Sequence, residues 1–229
     1  QAAYGHTHLQ PEGLTRFVYG LPEFNRAAIA ASRLVANPGC FPTSVEIALL
    51  PALREGLIET GGIIVDSKTG VSGGGKTPKP AFHFPECNES TSAYSVGRHR
   101  HTPEIEQILS LASGQGVEVI FTPHLVPMSR GILATLYATP KQLPEDEEIQ
   151  AVYQRFYEKE PFVRVCPAGA LPNTVAVRGS NYCDLAVRVD RRARRLIVVS
   201  AIDNLTRGAS GQAVCNMNLM LGLPETRGL

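Results

Sequence analysis

Six of the seven segments that the sequence marks as β-strands lie in the second half of the chain, and this clustering constrains the fold most. Short apolar or alternating runs predict strands over residues 63–66, 117–122, 131–139, 162–166, 174–178, 183–190 and 195–202. The last two flank the basic turn 191–195, which predicts a hairpin with a solvated tip. Because strands follow one another here without long helices between them, we expect an α+β domain with a mixed, largely antiparallel sheet.

Four helices are predicted around these strands. Thr43 to Glu46 has the capping-box pattern, and the apolar spacing after it predicts a helix over 43–55. Thr102 followed by proline marks the start of a second helix. Acidic residues open a third helix over 144–159, and an apolar run predicts a last one over 209–221. Residues 1–33 are turn-rich and carry no predicted element.

Composition narrows the classes of function. The chain has 229 residues, of which 43% are hydrophobic and 19% charged, with a net charge of +1. This balance predicts a packed domain and gives no reason to expect nucleic acid or a membrane as a partner. No apolar run of transmembrane length and no signal peptide are found. The chain begins with Gln1 rather than methionine, which favours a fragment of a longer protein.

Cysteine usage predicts a reducing, cytoplasmic setting. The five cysteines form neither paired short spacings nor a CxxC motif, so neither a disulfide framework nor a zinc site is expected. His99 and His101 could form a metal pair, but no third ligand is evident in the sequence. We therefore predict no metal.

Residues 70–77 match the phosphate-loop pattern letter for letter and follow a predicted strand. That loop needs a helix directly after it, and Pro80 would clash within the first turn of such a helix. We therefore do not expect a nucleoside triphosphatase, although the glycine-rich backbone and Lys76 could still hold an anion.

Cys40 differs from the other cysteines because a Pro-Gly turn precedes it and a helix start follows it. Exposed amides and the positive end of a helix dipole stabilise a thiolate at such a position. Local sequence leaves a nucleophile and a buried turn cysteine about equally supported. Alternation in an extended segment would place His99 and His101 on one side, where either could face Cys40, with Arg98 and Arg100 turned elsewhere.

The chain from Tyr19 onward resembles N-acetyl-gamma-glutamyl-phosphate reductase, a family similar in layout to aspartate-semialdehyde and glyceraldehyde-3-phosphate dehydrogenases. The matching blocks, in order, are YGLPEFNR (19–26), NPGCFPT (37–43), SKTGVSGGGK (67–76), GRHRHTPEI (97–105), FTPHLVPMSRGIL (121–133) and AIDNLTRGASGQAVCNMNLMLGLPETRG (201–228). The resemblance implies a glyceraldehyde-3-phosphate-dehydrogenase-like catalytic and dimerisation domain at 41–203. Residues 1–40 would be a remnant of an otherwise missing NADP-binding domain, and the helix in 204–229 would return to that domain.

The resemblance also assigns site residues. It implies Cys40 as the nucleophile and His99 as the catalytic base, with His101 as the second choice. Substrate contacts are expected from Ser72, Gly73, Lys76, His101 and Arg130, and cofactor contacts from Asn204 and Gly208.

The implied reaction is reduction of N-acetyl-5-glutamyl phosphate to its semialdehyde by NADPH, through a thioester on Cys40, in arginine biosynthesis. The amide of Cys40 is the expected oxyanion donor, and a homodimer or tetramer is the expected assembly. Three alternatives stay open at this point. They are a dimerisation fragment without redox activity, a reductase of carrier-bound aminoadipyl phosphate in lysine biosynthesis, and a cysteine–histidine hydrolase or acyltransferase.

Overall fold

The computed structural model describes residues 8–75, 77 and 80–229. Among them the α-helices are α1 (Pro22–Ala31), α2 (Cys40–Arg54), α3 (Phe84–Cys87), α4 (Thr102–Ser113), α5 (Asp146–Tyr157), α6 (Thr174–Val177) and α7 (Gly211–Met220). The strands are β1 (Val18–Tyr19), β2 (Val35–Ala36), β3 (Ile63–Thr69), β4 (Ser92–Ala93), β5 (Val119–Leu125), β6 (Ile132–Ala138), β7 (Val163–Val165), β8 (Cys183–Asp190) and β9 (Arg195–Ile202). A π-helical turn, Thr206–Ser210, precedes α7.

Seven strands form one sheet in the order β4-β5-β3-β6-β9-β8-β7. The pairs β3–β5 and β7–β8 are parallel, and the other four pairs are antiparallel. The predicted α+β fold with a mixed, largely antiparallel sheet is confirmed. The predicted hairpin around residues 191–195 is also present, because β8 and β9 pair directly across that turn.

Helices cover one face of the sheet. Strands β3, β5 and β6 alternate between buried and more exposed residues, as expected when one face packs on a core and the other faces solvent. Helix α2 contacts β6, β8 and β9, while α4 packs on β5 and α5 on β8. Every residue of α2 from Phe41 to Leu53 is buried, so this helix is the centre of the core.

Two local predictions are wrong for identifiable reasons. The predicted strand 174–178 is the short helix α6, because Asn173 caps it by accepting the amide hydrogen of Ala176 at 3.0 Å. The predicted capping box at Thr43 is absent, because α2 already begins at Cys40 with Gly39 as its N-cap. Glu46, the supposed capping acid, is instead fully buried. Helix α1 had no counterpart in the prediction.

Candidate active site

One cavity of about 550 Å³ brings together four of the residues predicted from sequence. Cys40, Gly73, His99 and His101 all line it. They come from three separate parts of the chain, namely the start of α2, the glycine-rich loop after β3 and the segment before α4.

Cys40 occupies the first position of α2, directly after the N-cap residue Gly39. Burial raises the pKa of the Cys40 thiol to about 11, although the backbone amides of Phe41 and Cys40 act in the opposite direction. The helix start therefore favours the thiolate, as predicted, but desolvation outweighs it. At neutral pH the thiol keeps its proton, so a nucleophilic reaction at this sulfur needs a base.

His101 packs against the backbone just before the thiol. A Cβ on Gly39 would lie 2.6 Å from the Nε2 atom of His101, so this close approach requires glycine. Burial, with contributions from His99 and Arg100, lowers the pKa of His101 to about 3. The imidazole is therefore neutral at pH 7 and able to accept a proton.

His99 has a defined tautomer. Its Nδ1 atom accepts the backbone amide hydrogen of His101 at 3.1 Å, so the proton of the neutral ring lies on Nε2. The ring stands edge-on to Phe41, Tyr94 and Phe121, with centroids 5.2 to 5.7 Å away. Burial lowers the pKa of His99 to about 4. In this state His99 presents a hydrogen-bond donor rather than an acceptor.

Arg98 and Arg100 also line the cavity, which contradicts the prediction that they turn elsewhere. That prediction assumed an extended segment. The segment is instead a pair of turns, with Gly97 at φ +70° and the amide of Thr102 bonded to the carbonyl of His99. Two arginine residues therefore contribute to the lining and give the cavity a cationic side, which suits a phosphate-bearing ligand.

Over residues 70–75, the described part of the glycine-rich loop, most backbone amides bond to the protein itself. It folds as a 3₁₀ turn over Val71–Gly74, and the amides of residues 70–73 and 75 all bond to carbonyls of the protein. Gly73 lines the cavity. Lys76, predicted to contact substrate, lies outside the described residues.

Asn204 connects the loop to Gly131, the residue before β6, through both ends of its amide. Its Oδ1 atom accepts the amide hydrogen of Gly131 at 2.6 Å, and its Nδ2 atom donates to the hydroxyl of Ser72 at 2.9 Å. Asn204 was predicted to bind cofactor and Ser72 to bind substrate. Here the two side chains hold each other and fix the loop beside the cavity.

Arg130, another predicted substrate contact, forms an ion pair with the buried Asp203. The Nε atom of Arg130 lies 3.2 Å from Oδ2 of Asp203. Although burial raises the pKa of Asp203, hydrogen bonds from the amides of Gly179, Leu205 and Thr206 bring it below its ordinary value. This carboxylate therefore anchors Arg130 and the turn that leads into the π-helical segment.

The π-helical segment packs directly on Cys40. A Cβ on Gly208 would lie 2.7 Å from the Cβ of Cys40 and 3.1 Å from its Cα. The neighbouring Arg207 is fully buried and pairs with the buried Glu23 of α1. This pair ties the segment to α1, so that Gly208 is held against Cys40.

No group of three or more histidine, cysteine or acidic side chains suited to a metal ion occurs within residues 8–75, 77 and 80–229. Over the same residues, no helix has the length and apolar character needed to span a membrane.

Residues 40–204 match the family model described as "Semialdehyde dehydrogenase, dimerisation domain". The chain therefore belongs to the semialdehyde dehydrogenase family. Among curated relatives it is 56% identical to N-acetyl-gamma-glutamyl-phosphate reductase of Desulforudis audaxviator over 99% of its own length and 65% of that protein. It is 56% identical to the protein of that name from Pelobacter propionicus, over 99% of this chain and 66% of the relative. The chain thus spans about two thirds of the length of these relatives, and the resemblance inferred from its motifs is confirmed.

Solved structures support the fold. Aspartate semialdehyde dehydrogenase II from Vibrio cholerae matches 91% of this chain and 69% of its own, with a TM-score of 0.72 and 17% identity. A probable aspartate-semialdehyde dehydrogenase from Pseudomonas aeruginosa gives a TM-score of 0.69 at 15% identity, over 90% of this chain and 68% of its own. At these identities the likeness concerns the fold alone.

Proposed function

We propose that this chain supplies the catalytic thiol of an NADPH-dependent N-acetyl-gamma-glutamyl-phosphate reductase of arginine biosynthesis. The observation that supports this best is the convergence of Cys40 and two neutral imidazoles in one cavity with a cationic side. The names of the relatives suggest the substrate. An acyl phosphate has both features that such a cavity would recognise, an electrophilic carbonyl and a phosphate.

The first step is acylation of Cys40. The sulfur attacks the acyl carbonyl carbon, a C–S bond forms, and the C–O bond to phosphate breaks with its electron pair on the departing phosphate. We assign the thiol proton to His101, because its Nε2 atom packs against Gly39, one residue before Cys40. The sequence favoured His99 as this base, but Nδ1 of His99 accepts a backbone hydrogen and its other nitrogen carries the proton. We therefore assign His99 as a hydrogen-bond donor to the substrate oxygen.

The second step reduces the thioester. NADPH, when bound, supplies the hydride that the thioester carbonyl needs. The resulting tetrahedral oxyanion, held by His99 and the amide of Cys40, collapses as the C–S bond breaks. The sulfur leaves as thiolate and regains its proton from His101, so aldehyde is released and both residues return to their starting states.

The chain offers a place for the nicotinamide end of the cofactor. Gly208 bears no side chain where its backbone packs on Cys40, so this contact brings the segment that the resemblance assigns to the cofactor close to the thiol. Asn204 would act indirectly, since both ends of its side chain already bind protein groups. We propose that Gly208 flanks the nicotinamide while Asn204 holds the adjoining loop.

Acylation can be tested without cofactor. We expect N-acetyl-5-glutamyl phosphate to release up to one equivalent of phosphate in a single turnover and to leave an acyl adduct on the Cys40 peptide, detected by mass spectrometry. Cys40→Ser should abolish both signals. Cys166→Ser is the matched control, because Cys166 is a free, half-buried thiol outside the cavity. An unchanged phosphate burst in Cys40→Ser would refute the assignment.

The same assay separates the alternatives. Faster acylation by carrier-bound aminoadipyl phosphate would indicate the lysine-pathway substrate. Steady release of acetylglutamate without reductant would indicate a hydrolase. Semialdehyde formed from the acylated protein only after addition of NADPH would support the reductase.

We further propose that the open face of the sheet binds a second copy of the chain. Ile64 and Ile120 pair across β3 and β5 and remain 42% and 59% exposed. Tyr137 and Ile197 extend the same apolar row across β6 and β9. The family's description as a dimerisation domain supports this surface as the site of homo-oligomer formation.

The division of the chain into domains at residues 40 and 204 stays a prediction, and so does a cytoplasmic location.

A further inference from the structure

Two carboxyl groups and one phenol meet in the interior beside Cys40, and the proposed reaction does not use them. The hydroxyl of Tyr19 lies 2.9 and 3.0 Å from the two carboxyl oxygens of Glu46 and 2.9 Å from Oε1 of Glu104. The same Oε1 accepts the amide hydrogen of Gly39 at 2.8 Å. The three side chains come from β1, α2 and α4.

One phenolic hydrogen cannot serve both carboxyl groups. Tyr19 can donate to one of them, and the other contact needs a hydrogen from the carboxyl itself. Two ionised carboxylates at this separation would also repel each other in a medium that screens poorly. The cluster therefore holds one proton on a carboxyl group.

Glu46 is the residue that holds this proton. Its side chain is fully buried, and among the described residues its charge would be stabilised by the hydrogen bond from Tyr19 and by no cation. Burial, and then the charge of Glu104, raise the pKa of Glu46 well above its ordinary value. Burial also raises the pKa of Glu104, but Gly39, Tyr19 and Arg100 oppose that rise. The hydrogen bonds then run in one direction, from Glu46 to Tyr19 to an ionised Glu104.

Glu104 links the Tyr19–Glu46 pair to the turn before Cys40, because it accepts hydrogen bonds from both Tyr19 and the Gly39 amide. Gly39 is the N-cap of α2 and Cys40 its first residue, so a hydrogen bond that fixes the Gly39 amide fixes the turn that presents the thiol. The charge of Glu104 also raises the pKa of Cys40.

We propose that Tyr19 and Glu46 are positioning residues for Cys40. A protonated Glu46 and the Tyr19 phenol hold Glu104 where it anchors the Gly39 amide and places a single negative charge near the thiol. This inference deepens the proposed function, in which Cys40 is the nucleophile. The titratable and charged groups around the cluster and Cys40 are Tyr19, Tyr94, Glu46, Glu104, Arg100, His99 and His101.

The proton can be observed directly. Infrared spectra of the chain at neutral pH should show the carbonyl band of a buried protonated carboxylic acid. Glu46→Gln should remove that band and Glu104→Gln should retain it. Absence of the band in the unsubstituted protein, or its loss only in Glu104→Gln, would overturn the assignment of the proton to Glu46.

The negative charge of Glu104 can be tested without substrate, because it affects the pH at which the Cys40 thiol ionises. The rate of Cys40 alkylation by iodoacetamide, followed on its peptide, rises with pH as the thiolate forms. Removing the anion in Glu104→Gln should move the midpoint down by about one pH unit. Glu46→Gln should leave it unchanged, because the group it replaces is already neutral. Equal downward shifts in both variants would mean that both carboxyls are ionised and would overturn the proposal.

The positioning role is tested in the acylation assay. Glu46→Gln keeps a neutral donor toward Tyr19 and should acylate within about twofold of the unsubstituted chain, whereas Tyr19→Phe and Glu46→Leu should be about tenfold slower. Normal acylation in Tyr19→Phe would contradict the role. If the unsubstituted chain does not acylate at all, the proposed function fails, while the infrared and alkylation results still decide on the cluster.

Discussion

The contact between Gly208 and Cys40 makes a strong prediction, because a single methyl group tests it. In Gly208→Ala the new Cβ would start 2.7 Å from the Cβ of Cys40, whereas ordinary contacts begin at 3.4 Å. The atoms it meets belong to the first residue of a buried helix rather than to a flexible side chain. Either the π-helical segment or the start of α2 must therefore move by more than half an ångström. Such overpacking costs about 1–3 kcal/mol of stability.

The effect on acylation should exceed the effect on folding. A displacement near 1 Å can slow a positioned reaction about 100-fold, so we expect Gly208→Ala to acylate roughly 10- to 100-fold more slowly. The phosphate burst measures acylation, and urea unfolding measures stability. Gly116→Ala is the control, since a Cβ at Gly116 meets nothing within 4 Å. A variant that acylates at the normal rate but loses only NADPH affinity would refute the steric argument and leave Gly208 as a cofactor contact alone.

Three further predictions concern stability and assembly. Because burial lowers the pKa of His101 from 6.5 to about 3, the unfolded chain takes up the proton first, and the free energy of unfolding should fall as pH drops below 6.5. In His101→Gln the free energy of unfolding, measured with urea at pH 7 and pH 5, should fall less between the two pH values than in the unsubstituted chain. An equal fall in both proteins would contradict this role of His101. Arg207→Met leaves Glu23 buried without its partner and should cost about 3–5 kcal/mol in the same assay, whereas the double variant with Glu23→Leu should recover most of the loss. Ile120→Lys on the open sheet face should convert an oligomer to monomers in sedimentation; an unchanged oligomer would exclude this face.

Sequence patterns predicted the sheet better than the details of the site. Strands β8 and β9 are long, apolar and separated by a polar turn, so local signals were sufficient. The segment before α4 was misjudged because alternation applies only to extended backbone, and Gly97 allows a turn there. The four-residue run at 174–177 was too short for periodicity to separate strand from helix, and the cap at Asn173 decided it.

Motif resemblance predicted Cys40, His99 and His101, which line one cavity, but it could not predict the residues that contact them from outside that cavity. Tyr19 lies 27 residues from Glu46 and 85 residues from Glu104, and no local pattern relates them. Glu46 fitted a capping box, and Glu104 lies in the first turn of α4, where an acidic residue is common. Both are ordinary explanations for a glutamate at those positions. Only the fold shows that the two acids share one phenol.

Contacts on two sides fix the backbone around the Cys40 thiol. On one side, the His101 ring packs against Gly39, and the Glu104 carboxylate accepts the amide hydrogen of Gly39. On the other, Gly208 rests on the Cβ of Cys40. Both contacts need a bare α-carbon, which explains why glycines stand at these two positions although neither has a positive φ.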